Sequence, residues 1–535
     1  MTSPSVRRLA AVAGALAWSL LPQPTAGQAI DVVELSVEDV RVGYASGRLT
    51  AVDLTRAFLE RIAQYEPRYN AFISMNPSAL VIAAALDAEY AASGPRSPLH
   101  GVPVVIKDNI DYGGLVTTAG WEGFSRAKGG IDMVPDDDAA VVSRLREAGA
   151  IILGKTNLPD FAGNGTRTRS SVAGRTLNPY DTTRTPGGSS GGSATAVNAG
   201  FAVLGIGTET GGSLQNPASA QGLVSVKPTF GLVPLEGVVP LNATYIDVVG
   251  PLTKTVHDAA VVLDVLAGPT PEDLATYAAV DHIPAGGYAA GLGLISLVGK
   301  RFGLVGPGWR EEWLPLDTAT ERLYQDAVLT VRSLGAEVVE DPFEGRGFVQ
   351  LYDARPSVPS VRSHDMLVYL QGLGDGAAFH SVEEWERLSG RPFRRDQRQD
   401  QPEQRVSSRD PARPSATEEG DAYQAWRQRL RELFRSVLDE HDLDALLFPQ
   451  AGAPAPDLIE DPARPDLEPN NWPEIPSNIV NDLGVPVVTL PYAYYADGMP
   501  FVLALIGDMW SEADLLAYAY ELERATRARR PPVLY

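Results

Sequence analysis

The sequence GVPVVIK at residues 101–107 joins an unbroken apolar run to a lysine. A continuous apolar run of this length predicts a strand that is covered on both faces. A helix is predicted downstream at 138–147, ending at Gly149, and further buried strands are predicted at 150–153 and 201–206. Because strands and helices alternate, we predict an α/β fold: a single large domain in which helices cover both faces of a mixed, mostly parallel β-sheet.

Other local patterns extend this scheme along the chain. Thr50, with Asp53 three residues later, resembles an acidic helix-capping box and predicts a helix that Pro67 stops. The glycines and serines at 187–193 predict an irregular loop, and helix-forming residues resume at Ala194. Towards the C-terminus, the predicted elements are strands at 445–448 and 485–490 and a final helix at 511–528.

Composition narrows the possible functions. The 535 residues carry a formal net charge of −22 without the clustered Lys and Arg that neutralise phosphates, so nucleic acid is not an expected partner. Cysteine is absent, which excludes disulfides, a thiolate nucleophile and zinc-cysteine sites. We expect a small-molecule partner, no metal or organic cofactor, and a monomer or homodimer.

The N-terminus has the pattern of a secretory signal peptide at residues 1–29. Arg7 and Arg8 precede the apolar stretch 9–21, and proline, glycine and small residues follow it. The apolar stretch is too short to span a bilayer stably, so no stable membrane insertion is expected. General secretion is the default route, and a twin-arginine route and an uncleaved anchor are the alternatives. We therefore predict an exported protein, periplasmic or secreted, with a mature domain at 30–535.

One segment of the second half differs in composition from the rest. Residues 391–420 are dense in Arg, Gln, Asp, Glu and Pro, which is typical of a solvated insertion. A lid over the active site is the alternative, because long loops in compact enzymes are often functional.

Three polar residues point to a proton relay. Lys107 ends the first apolar strand, Ser189 lies in GGSSGG at 187–192, and Ser213 lies in GTETGGS at 207–213. Amide hydrolysis needs an activated hydroxyl, a base that takes its proton, and backbone donors for the oxyanion. A lysine at the end of a buried strand loses solvation in its charged form, so its pKa should fall and the neutral amine can act as the base.

Two well-known motifs match this chain without their structural context. Residues 149–156 satisfy G-x-x-x-x-G-K-[ST], but the four central residues form an apolar strand and a helix precedes them, so no phosphate loop is expected. Residues 187–191 satisfy G-x-S-x-G, but the polar segment 178–186 supplies no strand for a nucleophile elbow. A Ser-His hydrolase that uses this serine stays open as an alternative, although none of the six histidines lies in a motif typical of a triad base.

Several longer segments together resemble the amidase signature family of serine amidohydrolases, closely over residues 32–270 and more loosely to the C-terminus. The carrying segments are GVPVVIKDNID at 101–111, TTAG at 117–120, GKTNLPDFA at 154–162, NPYDTTRTPGGSSGGSATAVNAG at 178–200 and GTETGGSLQNPASAQGLVSVKPTFGLVP at 207–234. The resemblance implies a catalytic core at about 95–270. It also implies a Ser-Ser-Lys triad in which Ser213 is the nucleophile, Ser189 the bridging serine after a cis peptide bond, and Lys107 the base.

The same resemblance implies an oxyanion hole built from backbone amides. These amides belong to Thr210, Gly211, Gly212 and Ser213. Ser190 and Ser193, by contrast, are expected to have structural roles, through hydroxyl bonds to the loop backbone and the helix start.

The chain departs from the commonest family pattern at a few positions. Glu209 replaces the usual Asp and Gln215 the usual Arg, which is similar to the peptide amidase and aryl acylamidase-like branch. Trp121 is also unusual, and it forms either an aromatic wall of the substrate pocket or part of the core. The segment 164–171 either lines the acyl pocket or forms a plain turn. Gly163, Asn164, Trp121 and Gln215 are thus the possible substrate-binding residues.

These observations predict an amidase that cleaves a small carboxamide, an aryl amide or a peptide-like amide through an acyl-enzyme on Ser213, with a side activity on esters. The alternatives are the Ser-His hydrolase, a non-catalytic secreted binding protein on an amidase scaffold, and amidation of transfer RNA, which export would exclude.

Overall fold

The computed structural model describes residues 30–312, 314–356, 361–393, 417–458 and 472–535. In this part of the chain, the segment Val32–Tyr535 forms one compact unit. The predicted signal peptide at 1–29 lies outside the described residues, and so does most of the predicted insertion at 391–420.

The helices and strands of the described residues follow one another along the whole chain. The helices are α1 (Val37–Ala45), α2 (Ala51–Tyr69), α3 (Ala79–Ser93), α4 (Ala140–Glu147), α5 (Gly191–Asn198), α6 (Gln215–Gln221), α7 (Val256–Leu266), α8 (Thr318–Ser333), α9 (Phe348–Asp353), α10 (Arg362–Gln371), α11 (Val382–Ser389), α12 (Glu418–Glu440), α13 (Ser477–Leu483) and α14 (Glu512–Thr526). The strands are β1 (Phe72–Met75), β2 (Pro103–Lys107), β3 (Ile151–Thr156), β4 (Arg169–Ser170), β5 (Gly174–Arg175), β6 (Leu204–Glu209), β7 (Val224–Lys227), β8 (Val248–Thr253), β9 (Arg301–Leu304), β10 (Glu337–Val339), β11 (Ala445–Pro449), β12 (Val487–Tyr494) and β13 (Pro500–Ile506).

An 11-stranded sheet organises the fold. Its strand order is β1-β3-β2-β6-β8-β7-β12-β13-β11-β9-β10, and β4 and β5 form a separate hairpin. Helices pack against the sheet, among them α5 against β2 and β6, α7 against β8, and α14 against β12. The predicted α/β class with a mixed sheet is therefore confirmed.

Parallel pairing is less extensive in this sheet than expected. It joins β2 to both β3 and β6, and β9 to both β10 and β11, whereas the other six neighbouring pairs are antiparallel. One of the antiparallel pairs, β12 with β13, is a hairpin, and a hairpin necessarily pairs its strands antiparallel. The predicted catalytic strand β2 lies in a parallel block, as a βαβ crossover requires.

Most predicted elements are present, with shifted ends. The apolar runs predicted as strands correspond to β2, β3, β6, β11 and β12, and the final helix corresponds to α14. The prediction that the first helix stops at Pro67 was wrong, because α2 continues to Tyr69. Asn70 caps the helix in a left-handed backbone conformation, and its N–H donates to the Glu66 carbonyl. Proline this close to a helix end disturbs few hydrogen bonds, so it does not stop the helix by itself.

The glycine-rich loop is more regular than predicted. Helix α5 begins at Gly191, not at Ala194. A Cβ on Gly191 would collide with the Thr168 side chain, and one on Gly192 would collide with the Asn157 backbone. These two glycines thus serve close packing of a helix, which composition alone cannot distinguish from chain flexibility.

The edges of the predicted insertion are also structured. Phe393 is buried, Arg391 forms an ion pair with Glu122 at 3.0 Å, and α12 already begins at Glu418. None of the helices in the described ranges has both the length and the hydrophobicity to cross a bilayer.

Candidate active site

The sheet brings Lys107 into contact with the glycine- and serine-rich loop. Lys107 is the last residue of β2 and is completely buried. Its Nζ lies 2.7 Å from the Oγ of Ser189, which follows a cis peptide bond with Gly188. Two of the three residues predicted for the relay, 82 positions apart in sequence, are therefore within hydrogen-bonding distance.

Two further hydroxyls surround the Lys107 amine. Ser190 Oγ lies 3.0 Å and Thr208 Oγ1 2.9 Å from Nζ, and the Thr208 carbonyl accepts from Nζ at 3.2 Å. Ser190 was predicted to bond to the loop backbone, and its hydroxyl does donate to the Thr208 carbonyl at 3.0 Å; its contact with the amine was not predicted, and Thr208 was not singled out. Strand β6 runs on to Glu209, beyond the apolar run that predicted it, and this extension places Thr208 next to the lysine.

The environment of Lys107 favours its neutral form. Burial lowers the pKa of Lys107 to about 7, and the Glu209 and Asp247 carboxylates oppose this shift only partly. No carboxylate in the described chain lies within ion-pair distance of its amine. Lys155, on the neighbouring strand β3, is equally buried but lies 3.2 Å from Asp108 Oδ1. Of these two buried lysines, Lys107 is the one suited to act as a base.

Ser213 lies beside this pair on the loop that follows β6. The Ser190 N–H donates to the Ser213 carbonyl at 3.2 Å, which joins the two loops. Ser213 is 5% exposed, and within the described residues its hydroxyl has no hydrogen-bond partner. The hydroxyls of Ser189 and Ser213 form no direct hydrogen bond. The structure thus contains the Lys107–Ser189 link of the relay, while the link to Ser213 requires the two hydroxyls to approach each other, as catalytic hydrogen bonds often do on substrate binding.

The loop predicted as the oxyanion hole has free backbone donors. Over the described ranges, no protein group accepts a hydrogen bond from the amides of Thr210, Gly211, Gly212 or Ser213. The Thr210 hydroxyl donates to Asp247 at 2.6 Å and holds the start of the loop in place. Unpaired amides at a rigid loop are the arrangement that stabilises a developing oxyanion.

Glu209 anchors the other side of this loop. Its carboxylate accepts from the backbone amides of Leu214 and Gln215, from the Gln215 side chain at 2.7 Å, and from Asn481 of α13 at 3.0 Å. Gln215 is 1% exposed. The prediction of Gln215 as a substrate-binding residue is therefore corrected: its amide replaces a cationic partner of the Glu209 carboxylate inside the protein.

A distant segment contributes polar groups that the sequence did not indicate. A Cβ on Gly212 would collide with Glu474 Oε2, and one on Gly211 would collide with Asn478 Oδ1. Asn216 donates to Glu474 Oε2 at 3.0 Å, and burial raises the pKa of the Glu474 carboxyl to about 7. Glu474 and Asn478 therefore face the predicted oxyanion loop from the C-terminal half, and no motif connects them to it in sequence.

The other predicted substrate-binding residues have structural surroundings. Trp121 is 4% exposed and packs against Trp385, Phe393 and other rings of an aromatic cluster. It is therefore part of the core, and the alternative prediction that it forms a wall of the substrate pocket is corrected. The Asn164 side chain accepts hydrogen bonds from the backbone amides of Thr166 and Arg167. This pattern is typical of a turn, which was one of the two predictions for this segment. Gly163 is exposed at the end of a short 3₁₀ turn, Asp160–Ala162.

The histidines are placed elsewhere. All six lie in described parts of the chain, and none is hydrogen-bonded to Ser189 or Ser213; His100, for example, contacts the Leu86 carbonyl. This removes the geometric basis of the Ser-His alternative. The described residues also contain no cluster of three His, Asp or Glu side chains that could hold a metal ion.

The domain is of the α/β class, and it buries a lysine amine against the serine of a glycine-rich loop. A second serine lies nearby, on a loop whose backbone amides are free. This combination is typical of a class of serine-dependent hydrolases. The family model described as Amidase matches residues 53–516, and the chain belongs to this family. It is therefore an amidase-family hydrolase, and the predicted family is confirmed.

Relatives of known name cover nearly the whole chain. A glutamyl-tRNA(Gln) amidotransferase subunit from Alkaliphilus metalliredigens (strain QYMF) is 33% identical over 505 residues, which are 92% of this chain and 96% of the relative. The corresponding subunit from Synechococcus sp. (strain JA-2-3B'a(2-13)) is 36% identical over 503 residues, 90% of this chain and 91% of the relative. The crystal structure of native peptide amidase from Stenotrophomonas maltophilia is similar with a TM-score of 0.75 and 33% identity, covering 94% of this chain and 99% of that chain.

The packing around Gly212 yields a test of the loop. Gly212 has φ +81° and no space for a side chain, whereas Gly114 has φ +80° and open space around it. We expect Gly212→Ala and Gly114→Ala to cost about 1 kcal/mol each through left-handed backbone strain. Only Gly212→Ala should also displace the loop, lowering kcat/KM for an amide by about a hundredfold. Urea unfolding and amide kinetics measure the two effects, and an equal loss of activity in both variants would contradict the role of this loop.

Proposed function

We propose that this protein hydrolyses a small carboxamide, an aryl amide or a peptide-like amide through an acyl-enzyme on Ser213. The observation that carries the proposal is the buried Lys107 amine, which has no counter-ion among the described residues and lies 2.7 Å from the Ser189 hydroxyl. A neutral amine in this position can accept a proton, and one bridging hydroxyl connects it to the neighbouring Ser213 loop.

In the proposed acylation step, Ser213 Oγ attacks the amide carbon while its proton passes to Ser189, whose own proton passes to Lys107. The carbonyl oxygen becomes an oxyanion that accepts from the free amides of the 210–213 loop. Collapse of this intermediate breaks the C–N bond. The proton held by Lys107 returns through Ser189 to the departing nitrogen, which leaves as a neutral amine or ammonia.

Deacylation repeats the same relay with water as the nucleophile. Water attacks the Ser213 ester, gives up a proton through Ser189 to Lys107, and the same proton returns to Ser213 Oγ as the carboxylic acid departs. Esters should react as well, because an alkoxide or phenoxide leaves more readily than an amine from the same intermediate. The proposal needs neither a metal nor an organic cofactor.

Considerations of charge support a small-molecule partner. The relatives named above include subunits of a glutamyl-tRNA(Gln) amidotransferase, so amidation linked to transfer RNA is the second candidate function. The net charge of −22 opposes contact with a polyanion. We accordingly place this chain with hydrolases of linear amides, acting as a monomer or homodimer.

Substitution of the relay residues tests the proposed chemistry. Ser213→Ala and Lys107→Ala should each lower kcat by about a thousandfold or more, because residues that act as one unit are lost together. Ser189→Ala should cause a comparable loss. The measurement is turnover of a panel of anilides, primary amides and peptide amides, with covalent labelling of the wild type by a serine-directed phosphonate.

Matched controls for these variants are Ser333→Ala and Lys128→Ala, which change exposed residues of the same types. Both should retain wild-type turnover. Activity that survives Ser213→Ala would support a different nucleophile, and a wild type without turnover or Ser213 labelling would support a non-catalytic binding protein.

The pH dependence of the reaction follows from Lys107. Its pKa is lowered to about 7, and the base is the neutral form, which is populated above that pH. We expect kcat/KM to fall about tenfold per pH unit as the pH drops below about 7, and to level off above it.

Glu474 has a carboxyl pKa of about 7 as well, so it needs a control. Glu474→Gln removes this titration and should leave the limb near pH 7 in place. A kcat/KM profile that becomes flat in Glu474→Gln would assign the limb to Glu474 and remove the support for Lys107 as the base.

We also propose that the protein is exported. The support is the segment 1–29, in which an arginine pair is followed by a short apolar stretch and small residues. In a bacterial host, the full chain should be recovered outside the cytoplasm with a new N-terminus near residue 30, as intact mass would reveal, and a variant lacking residues 2–29 should stay in the cytoplasm. Intact full-length protein in the cytoplasm would contradict export and favour the function linked to transfer RNA.

A further inference from the structure

Glu209 is a buried carboxylate at the start of the Ser213 loop, and it has no cationic partner in the described chain. It is 1% exposed, and its oxygens accept only from uncharged donors, which are amides of Leu214, Gln215 and Asn481. A carboxylate that accepts several N–H hydrogen bonds stays ionised, because these bonds favour the charged form. Its negative charge is therefore buried beside the loop without being neutralised by an ion pair.

Asp247 repeats this arrangement on the other side of the loop. It is 6% exposed, and its Oδ1 accepts from the Thr210 hydroxyl at 2.6 Å. Its Oδ2 accepts from the backbone amides of Leu241 at 2.8 Å and Asn242 at 2.7 Å. Burial raises the pKa of the Asp247 carboxyl, and these hydrogen bonds oppose the rise. Among the described residues, no cation lies within ion-pair distance of this carboxylate either.

Strand β6 connects Glu209 to the Lys107 amine. Thr208, the residue before Glu209, contacts Lys107 Nζ with its hydroxyl at 2.9 Å and with its carbonyl at 3.2 Å. The amine and the carboxylates of Glu209 and Asp247 thus belong to one buried site, in which charges are screened only weakly. Burial lowers the pKa of Lys107 to about 7, and Glu209 and then Asp247 keep it from falling further.

The other elements packed against β2 add no unpaired charge to this site. On β3, the amine of Lys155 is paired with Asp108 at 3.2 Å. Helix α5 packs against β2 and β6 and contains no charged residue, and the residues that α2 buries are uncharged. Glu209 and Asp247 are therefore the charges that the described residues place around the Lys107 amine.

The charge of Glu209 also acts on two other buried groups. Burial lowers the pKa of Lys227 to about 8, and Glu209 opposes this shift. Burial raises the pKa of the Glu474 carboxyl to about 7, and Glu209 adds to this rise. A carboxylate without a cationic partner is expected to act in both of these directions, because its field favours protonation of every neighbouring group.

We propose that Glu209 and Asp247 are positioning residues for the base: beyond anchoring the loop, their negative charges keep the Lys107 amine basic enough to take up a proton near neutral pH. This inference rests on the proposed function, in which Lys107 is the base. A carboxylate in contact with the amine, as Asp108 is with Lys155, would keep it protonated, whereas burial without any carboxylate would make it a weak base. Carboxylates nearby but out of contact give a strength between these limits.

The pH profile of the full-length protein tests this inference. The measurements use Glu474→Gln as the background, because Glu209 also acts on the Glu474 carboxyl. Glu209→Gln removes the charge and keeps the shape and one acceptor oxygen. We expect the acid limb of kcat/KM to move down by about one pH unit, so that the fraction of the plateau reached at pH 6 rises about fivefold. Asp247→Asn should move the limb in the same direction by a smaller amount.

The limb is recorded in two ways, from about pH 5 to about pH 9. Turnover of an amide gives kcat/KM, and the rate of Ser213 labelling by a serine-directed phosphonate gives the same limb in variants whose turnover is slow. If Glu209→Gln does not fold, Asp247→Asn decides the question.

Two controls separate charge from anchoring. Gln215→Leu removes one uncharged donor from Glu209 and leaves its charge in place. Glu337→Gln removes a charge from β10, at the edge of the sheet opposite to β1, β3 and β2. Neither variant should move the limb downwards, although Gln215→Leu should lower the plateau by loosening the loop.

The outcomes for this inference and for the proposed function are distinct. An acid limb near pH 7 that stays in place in both Glu209→Gln and Asp247→Asn would overturn the inference and leave the proposed function intact. An equal downward shift in Gln215→Leu would also overturn it, because the limb would then follow the position of the loop. A wild type that neither turns over an amide nor reacts with the phosphonate would instead overturn the proposed function.

Discussion

The burial of one amine without a counter-ion is the constraint on which the site depends. Lys107 ends a central strand where solvent does not reach it and no described carboxylate forms an ion pair with it, and burial lowers its pKa to about 7 although Glu209 and Asp247 partly oppose the shift. Three hydroxyls and one carbonyl lie within hydrogen-bonding distance of its Nζ. These neutral groups satisfy its hydrogen bonds, but they do not provide a negative charge. Lys155, on the adjacent strand, is also buried, but it forms an ion pair with Asp108 at 3.2 Å. The two neighbouring lysines thus differ in whether a described carboxylate lies within ion-pair distance.

The sheet makes this burial possible. Strand β2 lies between β3 and β6, both parallel to it, so the ends of all three strands meet at one edge. The loops leaving that edge carry the serines, and glycines at 187–192 and 211–212 let the loops approach each other and the neighbouring backbone closely. Each of these contacts uses the absence of a side chain, which explains why the segment looks flexible in composition and is nevertheless packed.

The loop that carries Ser213 is held from both halves of the chain. Glu209 and Asp247 anchor its two ends within the first half, while Asn481, Glu474 and Asn478 reach it from beyond residue 470. Replacement of the usual Arg by Gln215 does not loosen this arrangement, because Asn481 supplies a second amide to the Glu209 carboxylate. The position of the loop therefore depends on contacts with a part of the chain that is far from it in sequence.

The sequence by itself determined the strands with continuous apolar character and the family, and it singled out Lys107, Ser189 and Ser213 as candidate relay residues, because each of these is encoded in a short run of neighbouring residues. The local sequence pattern predicted wrong ends for two helices, the end of α2 at Pro67 and the start of α5 at Ala194. At both positions, packing outweighs the local preference of the residues. Only the tertiary structure shows that Ser190 and Thr208 surround the Lys107 amine and that Glu474 lies at the predicted oxyanion loop. It also shows that Trp121 and Gln215 are buried in the interior. The physical reason is that these contacts join segments up to 272 residues apart, and their meeting depends on the order in which the strands pair, which no local pattern contains.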